Sequence, residues 1–275
     1  MYRISVVIPT YNREKHIKHA VESVLAQEGQ GEVFDMFEVL IIDDGSTDNT
    51  EDIVQGITDE RIIYHKLPTN KGAVVAWNTG ISIAEGDWIA FQDSDDEWHS
   101  DKLLKQIRYL SEHEDCDLVS HPFRAFFADG SEICTRVVDS EDMIEELARS
   151  NFIGTPTMLV RRSALLEMGG FNPEIKSLND WYFVIGFVKK YKIGMVPDVL
   201  LDVNMGVEGM SADISAYYES RCRIISDNKE ILLEHNCFDE AVRSLLIHAE
   251  KNDILAEVGR MLELFLEQGQ RSENG

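Results

Sequence analysis

Residues 88–96, Trp88-Ile89-Ala90-Phe91-Gln92-Asp93-Ser94-Asp95-Asp96, join a short apolar run to three aspartates. The apolar part predicts a buried strand, and the aspartates follow at the point where that strand ends. Crowded carboxylates repel each other, and protonation, water or a bound cation relieves the repulsion. An Asp-x-Asp pattern of this kind is typical of a Mg²⁺ or Mn²⁺ site that also holds substrate phosphates, because hard cations prefer oxygen ligands. The alternative is a solvated acidic loop before a helix.

Strands and helices alternate along the chain before this loop. The hydrophobic pattern predicts strands over 4–8, 37–42, 61–65 and 87–91, and helices over 13–27, 47–57 and 72–84. This alternation predicts an α/β fold with an open, doubly wound, mostly parallel sheet flanked by helices. Ligands of such sheets bind beyond the carboxyl ends of the strands. The acidic loops after Ile42 and Phe91 both fall on that edge.

The pattern changes past residue 100. Residues 117–127 and 133–138 predict two strands joined across Asp129-Gly130, and 180–191 predicts an aromatic-rich helix. From about residue 214 the chain is predicted to be helical almost to its end. We therefore expect a body over 1–212 and a helical C-terminal extension over 213–275. Its apolar stripe either packs on the body or forms the contact of a homodimer.

Charge and composition exclude several classes of partner. The 275 residues carry a formal net charge of -24, with a pI of about 4.6. Nucleic acid is excluded as a partner because phosphate backbones require clustered Lys and Arg. Broad electrostatic docking on an anionic membrane is disfavoured for the same reason. An anionic small substrate would need a metal or a local basic group to hold it.

Cysteine usage and hydropathy predict a cytoplasmic protein. The four cysteines are widely spaced and form no CxxC pair, as expected of free thiols in a reducing compartment. The first residues enter a strand-like run and lack the layout of a signal peptide. No apolar run reaches the about 18 residues of a transmembrane helix, so we expect no transmembrane segment.

The polar loops after the first two predicted strands suggest a nucleotide site without a glycine-rich loop. No glycine precedes Gly29, which disfavours a Rossmann or Walker phosphate loop and sugar nucleotidyltransfer. Thr10 could simply cap a helix. In the Asp43-Asp44 pair, one carboxylate should face the ligand edge, where it could accept a hydrogen bond from uracil or guanine. Lys71 could meet phosphate or point into solvent.

Four ordered motifs resemble those of the family 2 glycosyltransferases, which are inverting enzymes with the GT-A fold. The matching segments are Val6-Val7-Ile8-Pro9-Thr10-Tyr11-Asn12, Ile41-Ile42-Asp43-Asp44-Gly45-Ser46-Thr47-Asp48, Asn70-Lys71-Gly72 with Asn78, and residues 86–96. The resemblance covers roughly the first 110 residues well and the chain to about 205 in patches. It implies a GT-A-like sheet, with a nucleotide-sugar transferase domain over 1–212.

The resemblance also implies roles for individual residues. It assigns the nucleotide-sugar site to Pro9, Thr10, Tyr11, Asp44, Lys71, Asn78, Asp93 and Ser94. Within this set, Asp44 would read the base and Asp93 would contact the nucleotide-sugar. Asp95 would ligate the Mn²⁺ or Mg²⁺ that bridges the diphosphate.

The catalytic base of the family is expected in a Glu-Asp pair before an aromatic helix. Here Ser177-Leu178-Asn179-Asp180-Trp181-Tyr182 matches, with Asn179 in place of the glutamate. Asp180 keeps the carboxylate that would deprotonate the acceptor hydroxyl, although capping the helix is its alternative role. The family's late histidine loop is not evident near residues 203–206. The Gln-x-x-Arg-Trp motif of processive polysaccharide synthases is absent, so one sugar per encounter is expected.

The implied activity is inverting, metal-dependent transfer of one sugar from a nucleotide-diphosphate sugar, UDP more often than GDP. The acceptor would be a hydroxyl of a glycan or lipid-linked saccharide in cell-surface polysaccharide synthesis. A lipid-linked acceptor would bring the cytoplasmic protein to the inner face of the membrane as a peripheral protein. The alternative is a non-catalytic nucleotide-sugar-binding module of the same fold.

Overall fold

The computed structural model describes residues 1–139, 141–205 and 213–273, without the side chains of Phe37 and residues 269–273. These residues form two compact units. The first comprises Met1–Val137, Ile153–Phe171 and Tyr191–Gly209, and the second comprises Val138–Phe152, Asn172–Lys190 and Met210–Gly275. The second unit thus takes two segments that precede residue 212. The expected domain boundary itself lies outside the described residues and stays a prediction.

All strands of the described residues belong to the first unit. In chain order they are β1 (Tyr2–Thr10), β2 (Phe34–Asp43), β3 (Ile62–Lys66), β4 (Trp88–Phe91), β5 (Glu97–Trp98), β6 (Leu118–Ser120), β7 (Arg124–Phe127), β8 (Glu132–Cys134), β9 (Leu159–Arg161), β10 (Ile193–Met195) and β11 (Leu201–Met205). Within the described residues, seven of them form a central sheet in the order β10-β6-β9-β4-β1-β2-β3. The other four form a small sheet in the order β5-β11-β7-β8.

The central sheet is mostly parallel, as predicted. β1 runs parallel to β2 and to β4, whereas β9 runs antiparallel to its neighbours β4 and β6. The register pairs Thr10 with Asp43 and Val7 with Phe91. The carboxyl ends of β1, β2 and β4 therefore lie together at one edge, and the polar loops continue from there.

Helices cover the sheet of the first unit and build the second. In chain order they are α1 (Ile17–Leu25), α2 (Thr50–Gln55), α3 (Ala73–Ile83), α4 (Lys102–Glu112), α5 (Met143–Arg149), α6 (Arg162–Glu167), α7 (Asn179–Phe187), α8 (Ile214–Asp227), α9 (Lys229–Glu234), α10 (Phe238–Lys251) and α11 (Leu255–Glu273). α5 and α7 to α11 belong to the second unit. A search of the described residues finds no helix with the length and hydropathy to cross a membrane.

Apolar runs of the sequence explain the core of the first unit. Ile4, Val6 and Ile8 of β1 are fully buried, and Trp88 to Phe91 of β4 are buried at every position. Continuous apolar runs of this kind suit strands that are covered on both faces. The sheet edge is thus held in place by a packed core.

The hairpin across Asp129-Gly130 is confirmed for β7 and β8, but two shorter strands differ from the expectation. Residues 118–120 belong to the central sheet as β6, whereas the sequence pattern extended the hairpin strand over them. β10 was not predicted, because three residues are too short to show a period. β10 pairs with β6 at the end of the sheet.

Helix α3 packs closely on β1 because Gly80 has no side chain. A Cβ at Gly80 would lie 2.9 Å from Val7 Cγ2 and closer still to Val7 Cγ1. We expect Gly80→Ala to lower the free energy of unfolding by about 1–3 kcal/mol, because the packed core must shift to admit a methyl group. Urea unfolding measures this change.

Gly259→Ala in α11 is the matched control. A Cβ there meets nothing within 4 Å. The same substitution should therefore raise stability by about 0.5–1 kcal/mol, since alanine favours a helix over glycine. Equal effects at the two positions would contradict the close approach of α3 to β1.

Lys102 of α4 is a lysine buried inside the first unit. Its side chain is 0% exposed, and its Nζ donates a hydrogen bond to Gln106 Oε1 at 2.9 Å. The same Nζ lies 3.9 Å from the centre of the Trp98 ring. Burial disfavours the charged amine and holds the pKa of Lys102 well below its usual range.

We expect Lys102→Met to raise the free energy of unfolding by about 1–3 kcal/mol at neutral pH, because an apolar side chain replaces a buried amine. The unfolded lysine stays protonated up to about pH 10.4, while the folded one is neutral down to its lowered pKa. The unfolded state therefore binds more protons, so wild-type stability rises with pH across this window. The variant should lack that slope.

Urea unfolding at about pH 6 and about pH 9 tests this prediction. Lys105→Met is the control, because Lys105 lies on the same helix and pairs with Asp101 at 2.8 Å. That substitution should not stabilise the protein. Parallel pH slopes for wild type and Lys102→Met would show that Lys102 keeps its proton in the fold.

Candidate active site

The loops after β1 and β2 are tied together by hydrogen bonds. The Asn12 N–H donates to Ser46 Oγ and the Thr47 N–H donates to Asn12 Oδ1, both at 2.9 Å. The Asp44 N–H donates to the Thr10 carbonyl at 2.8 Å. Asn12 adopts φ 51°, a left-handed conformation that asparagine tolerates. The two loops therefore form one surface at the carboxyl edge of the sheet.

Pro9, Thr10 and Tyr11 lie on this surface with different exposure. Pro9 and Thr10 are buried, and the Tyr11 side chain is 41% exposed. Thr10 Oγ1 is buried without a hydrogen-bond partner among the described residues. Buried hydroxyls are normally paired. The Thr10 hydroxyl is thus a group that a ligand atom could satisfy.

The Asp44 carboxylate accepts two backbone hydrogen bonds from the loop before α3. Its Oδ1 accepts from the Lys71 N–H at 2.8 Å and its Oδ2 from the Gly72 N–H at 2.7 Å. The neighbouring Asp43 accepts from the Ser46 N–H at 2.7 Å and from the Tyr64 hydroxyl. Each carboxylate oxygen has a second lone pair, so Asp44 can still accept from a base. Its base-reading role stays a prediction.

The remaining predicted residues around α3 differ in their surroundings. Lys71 is exposed, and its side chain has no partner among the described residues. The Asn78 side chain makes two hydrogen bonds with the backbone of Phe171. Its Nδ2 donates to the Phe171 carbonyl at 2.7 Å, and its Oδ1 accepts from the Phe171 N–H at 2.9 Å. The contacts of Asn78 are therefore structural, and its nucleotide contact stays a prediction.

The acidic loop Asp93–Asp96 follows β4 as a tight turn. The Asp96 N–H donates to the Asp93 carbonyl at 3.3 Å, and Gln92 Nε2 donates to the Asp96 carbonyl at 2.7 Å. Ser94 and Asp96 are buried, whereas Asp93 and Asp95 are partly exposed. The turn thus leaves the two carboxylates of the Asp-x-Asp pattern accessible.

Asp96 gives this loop unusual electrostatics. Burial, with the negative charge of Asp93 and Asp95, raises the pKa of Asp96 to about 8, although the N–H of Asn204 at 3.2 Å opposes the shift. Burial and the two neighbouring negative charges thus disfavour ionisation of Asp96. Such an oxygen-rich loop fits Mg²⁺ or Mn²⁺.

The loop alone does not complete a metal site. The described residues contain no group of three or more His, Cys, Asp or Glu arranged to hold a metal ion. Mg²⁺ commonly binds to one or two carboxylates and completes its coordination with water and substrate phosphates. Asp95 and Asp93 therefore fit an ion that arrives with a diphosphate.

Arg13 is a site residue that sequence reasoning missed. Its Nη2 lies 3.5 Å from Asp95 Oδ2, with both side chains about a quarter exposed. Its backbone N–H donates to Thr50 Oγ1 at 2.9 Å, which fixes the start of the side chain. The sequence does not distinguish Arg13 from Lys15 or Lys18 nearby. The structure shows a cation beside the predicted metal ligand, suitably charged for a phosphate.

Asp180 lies in the second unit, in the first turn of α7. Its Oδ1 accepts from the Trp181 N–H at 2.8 Å, and its side chain bonds with Asn151. Burial raises the pKa of Asp180 above its usual range, although these two hydrogen bonds oppose the shift. A raised pKa suits a carboxylate that accepts a proton near neutral pH. Asp180 as catalytic base stays a prediction.

Comparison with known sequences decides the family. The sequence profile described as "Glycosyl transferase family 2" matches residues 5–168, which include all four motifs. The chain belongs to glycosyl transferase family 2. The predicted family and the predicted enzyme class, a glycosyltransferase, are confirmed.

Two curated relatives of this glycosyltransferase carry more specific names. Over 192 residues the chain is 32% identical to TuaG of Bacillus subtilis (strain 168), named as a teichuronic acid biosynthesis glycosyltransferase; the match covers 68% of this chain and 72% of TuaG. Over 110 residues it is 42% identical to WfaP of Escherichia coli; this match covers 40% of this chain and 42% of WfaP. WfaP is named as a UDP-Glc:alpha-D-GlcNAc-diphosphoundecaprenol beta-1,3-glucosyltransferase.

A solved structure shares the fold. The glycosyltransferase resembles residues 1–349 of S. aureus TarS in complex with UDP, with a TM-score of 0.64 and 26% identity over 93% of this chain and 70% of the TarS chain. This likeness confirms the GT-A-like sheet with a helical C-terminal region.

Proposed function

We propose that this glycosyltransferase is an inverting, metal-dependent enzyme that moves one sugar from a UDP-sugar to a hydroxyl of a glycan or lipid-linked saccharide. The acidic loop at the end of β4 carries the proposal, because it brings accessible carboxylates to the ligand edge of the sheet. The UDP complex of TarS supports uridine as the nucleotide. The names of TuaG and WfaP support a role in cell-surface polysaccharide synthesis.

The nucleotide half of the donor would lie on the loops after β1 and β2. Thr10 offers a buried hydroxyl without a partner among the described residues, and Tyr11 offers an exposed aromatic face. Asp44 would accept the imide N–H of uracil with the lone pairs that its backbone bonds leave. A carboxylate acceptor suits uracil and guanine alike, so the choice of UDP rests on the UDP complex of TarS.

The diphosphate would lie at the acidic loop. Asp95 would hold the Mn²⁺ or Mg²⁺, with Asp93 beside it, and such an ion neutralises charge that develops on the leaving diphosphate. Arg13 would exchange its pairing with Asp95 for a phosphate oxygen, since guanidinium binds phosphate well. Lys71, exposed at the start of α3, is a second cation for this group.

Asp180 would accept the proton of the acceptor hydroxyl. The acceptor oxygen attacks the anomeric carbon as its O–H bond breaks, and the bond from that carbon to UDP breaks with its electron pair leaving on UDP. A single displacement of this kind inverts the anomeric configuration. The bond with Asn151 and the bond from the Trp181 N–H would orient the Asp180 carboxylate.

A lipid-linked acceptor, as in the name of WfaP, would place the reaction at the cytoplasmic face of a membrane. The enzyme would then act there as a peripheral protein. A second copy of the chain, in contact through α11, is a further proposal. Val258 and Leu262 of the α11 stripe are already buried in the single chain, so such a contact would use the exposed part of the helix; light scattering tests it.

Product analysis tests the proposed function. Purified enzyme with Mn²⁺, a UDP-sugar panel and saccharide acceptors should release UDP and form one glycosidic bond, whose NMR coupling shows inverted configuration. Retained configuration would contradict single displacement. A folded protein that binds UDP but neither transfers nor hydrolyses any donor would support the non-catalytic alternative.

A further inference from the structure

The second unit contains a cavity with a strongly basic lining. Its volume is about 610 Å³. Four cationic side chains line it, Arg149, Arg221, Arg243 and Lys251, against one carboxylate, that of Glu240. This concentration contrasts with a formal charge of -24 over the whole chain. The cations that line the cavity therefore form the kind of local basic site that an anionic substrate would need.

Most of these cations lack a countercharge. Arg149 pairs with Glu146 at 2.8 Å and with Glu240 at 3.7 Å. Arg221, Arg243 and Lys251 form no ion pair with any described residue. The positive charge that faces the cavity is thus not neutralised within the described part of the chain.

Arg221 is the strongest sign that a ligand belongs here. It is only 4% exposed, and its guanidinium lies 4.9 Å from the centre of the Trp181 ring. Its Nη2 donates to Ser244 Oγ at 3.2 Å, and Ser244 in turn donates to the Arg149 carbonyl at 2.8 Å. A buried cation without an anion is costly. Arg221 is therefore fixed in position with its charge available to a bound anion.

Other lining groups suit a phosphate. Ser150, Asn151 and Tyr217 add neutral hydrogen-bonding groups to the cavity wall. Guanidinium groups bind phosphate oxygens in pairs. Burial, and then the charges of Arg221 and Lys251, lowers the pKa of His248. That shift agrees with a positive field in the cavity.

The cavity adjoins the predicted catalytic base within the same unit. Leu178 and Trp181, which flank Asp180 in sequence, both line the cavity. Asn151 lines it too and bonds with the Asp180 side chain. The volume of about 610 Å³ lies within the about 300–1,000 Å³ of small-molecule sites. A ligand anchored by phosphate could therefore extend towards Asp180.

We propose that this cavity binds the phosphate group of the sugar acceptor. This inference rests on the proposed function, because it takes Asp180 as the base that the acceptor hydroxyl meets. The substrate class is a saccharide that carries a phosphodiester or diphosphate. The donor diphosphate is assigned to the acidic loop of the first unit and needs none of these cations.

Binding of inorganic pyrophosphate in the presence of a chelator tests the site directly. Calorimetry should detect binding to wild type, and the double variant Arg243→Gln/Lys251→Gln should bind at least tenfold more weakly. Both side chains are exposed, so the variant should fold. Arg260→Gln, an exposed cation of α11 that does not line the cavity, is the matched control and should leave pyrophosphate binding unchanged.

Turnover separates the acceptor site from the donor site. The double variant should raise KM at least tenfold for a diphosphate-linked or a phosphodiester-linked saccharide, with kcat and the UDP-sugar KM within twofold of wild type. A phosphate-free glycan should show no such change. The acceptor that shows the effect identifies the source of the phosphate.

Failure of this inference can be told from failure of the proposed function. Wild type that binds UDP with Mn²⁺ but not pyrophosphate, or an Arg260→Gln variant that loses as much affinity as the double variant, would overturn the acceptor site alone. Wild type that binds no nucleotide would overturn the proposed function.

Discussion

Asp180→Asn is expected to slow sugar transfer by about 10²–10⁴-fold while the affinity for UDP stays unchanged. Asparagine keeps the shape of the side chain and an oxygen for the Trp181 N–H, which lies at 2.8 Å in the wild type. It cannot accept the proton of the acceptor hydroxyl. Steady-state kinetics with UDP calorimetry would separate the chemical step from donor binding.

The pH profile gives a second readout of Asp180. Its pKa lies above the usual range because the half-buried carboxylate is desolvated, so it gains a proton earlier as pH falls. As the base must be ionised, kcat should decline on the acid side from a higher pH than for an ordinary aspartate. The variant should lose this decline along with its activity.

Asp239→Asn is the control for this substitution. Asp239 is an exposed carboxylate in the first turn of α10, also within the second unit. That variant should transfer sugar at the wild-type rate. Turnover of Asp180→Asn within about twofold of wild type would remove Asp180 from the mechanism and leave it the structural role of accepting the Trp181 N–H.

Asp95→Asn is expected to abolish the gain in UDP affinity that Mn²⁺ provides. Substitution of a residue that hydrogen-bonds to a metal ligand typically weakens metal binding about 10–100-fold. Substitution of the ligand itself should weaken metal binding at least as much. The affinity of the variant should match that of wild type in chelator. Calorimetry of UDP with Mn²⁺, on both proteins, measures the difference.

Asp87→Asn is the matched control, because Asp87 directly precedes β4 and is exposed at the opposite end of that strand. It should bind UDP as wild type does. The loss of one charge in Asp95→Asn also lowers the pKa of Asp96, since Asp95 is one cause of its rise. Full Mn²⁺ dependence in Asp95→Asn would exclude Asp95 as the ligand.

The fold was predictable because long apolar strands and polar loops alternate regularly. β1, β2 and β4 follow from their runs of buried residues, and the register of these strands brings their loops together. β10 was not predicted, and β6 was predicted only as part of the hairpin strand over 117–127, not as a strand of the central sheet. Each has three residues, and their place in the sheet depends on pairing between segments that lie far apart in sequence.

The site was predictable in its motifs but not in its contacts. The Asp-x-Asp pattern is local, so the sequence contains it whole. By contrast, Asn78 forms hydrogen bonds with Phe171, which lies 93 positions later in the sequence. The ion pair of Arg13 with Asp95 likewise depends on how the loops fold. The cations of the second unit are spread from Arg149 to Lys251, and only the fold brings them to one cavity.

The most direct test of the central claim is calorimetric titration of wild-type protein with UDP and with GDP, in Mn²⁺ and in chelator. It needs neither the donor sugar nor the acceptor to be known. We expect UDP to bind with Mn²⁺, GDP to bind at least tenfold more weakly, and chelator to remove most of the affinity for UDP. Folded protein that binds neither nucleotide, with or without Mn²⁺, would contradict the assignment of a nucleotide-sugar donor site to this sheet edge.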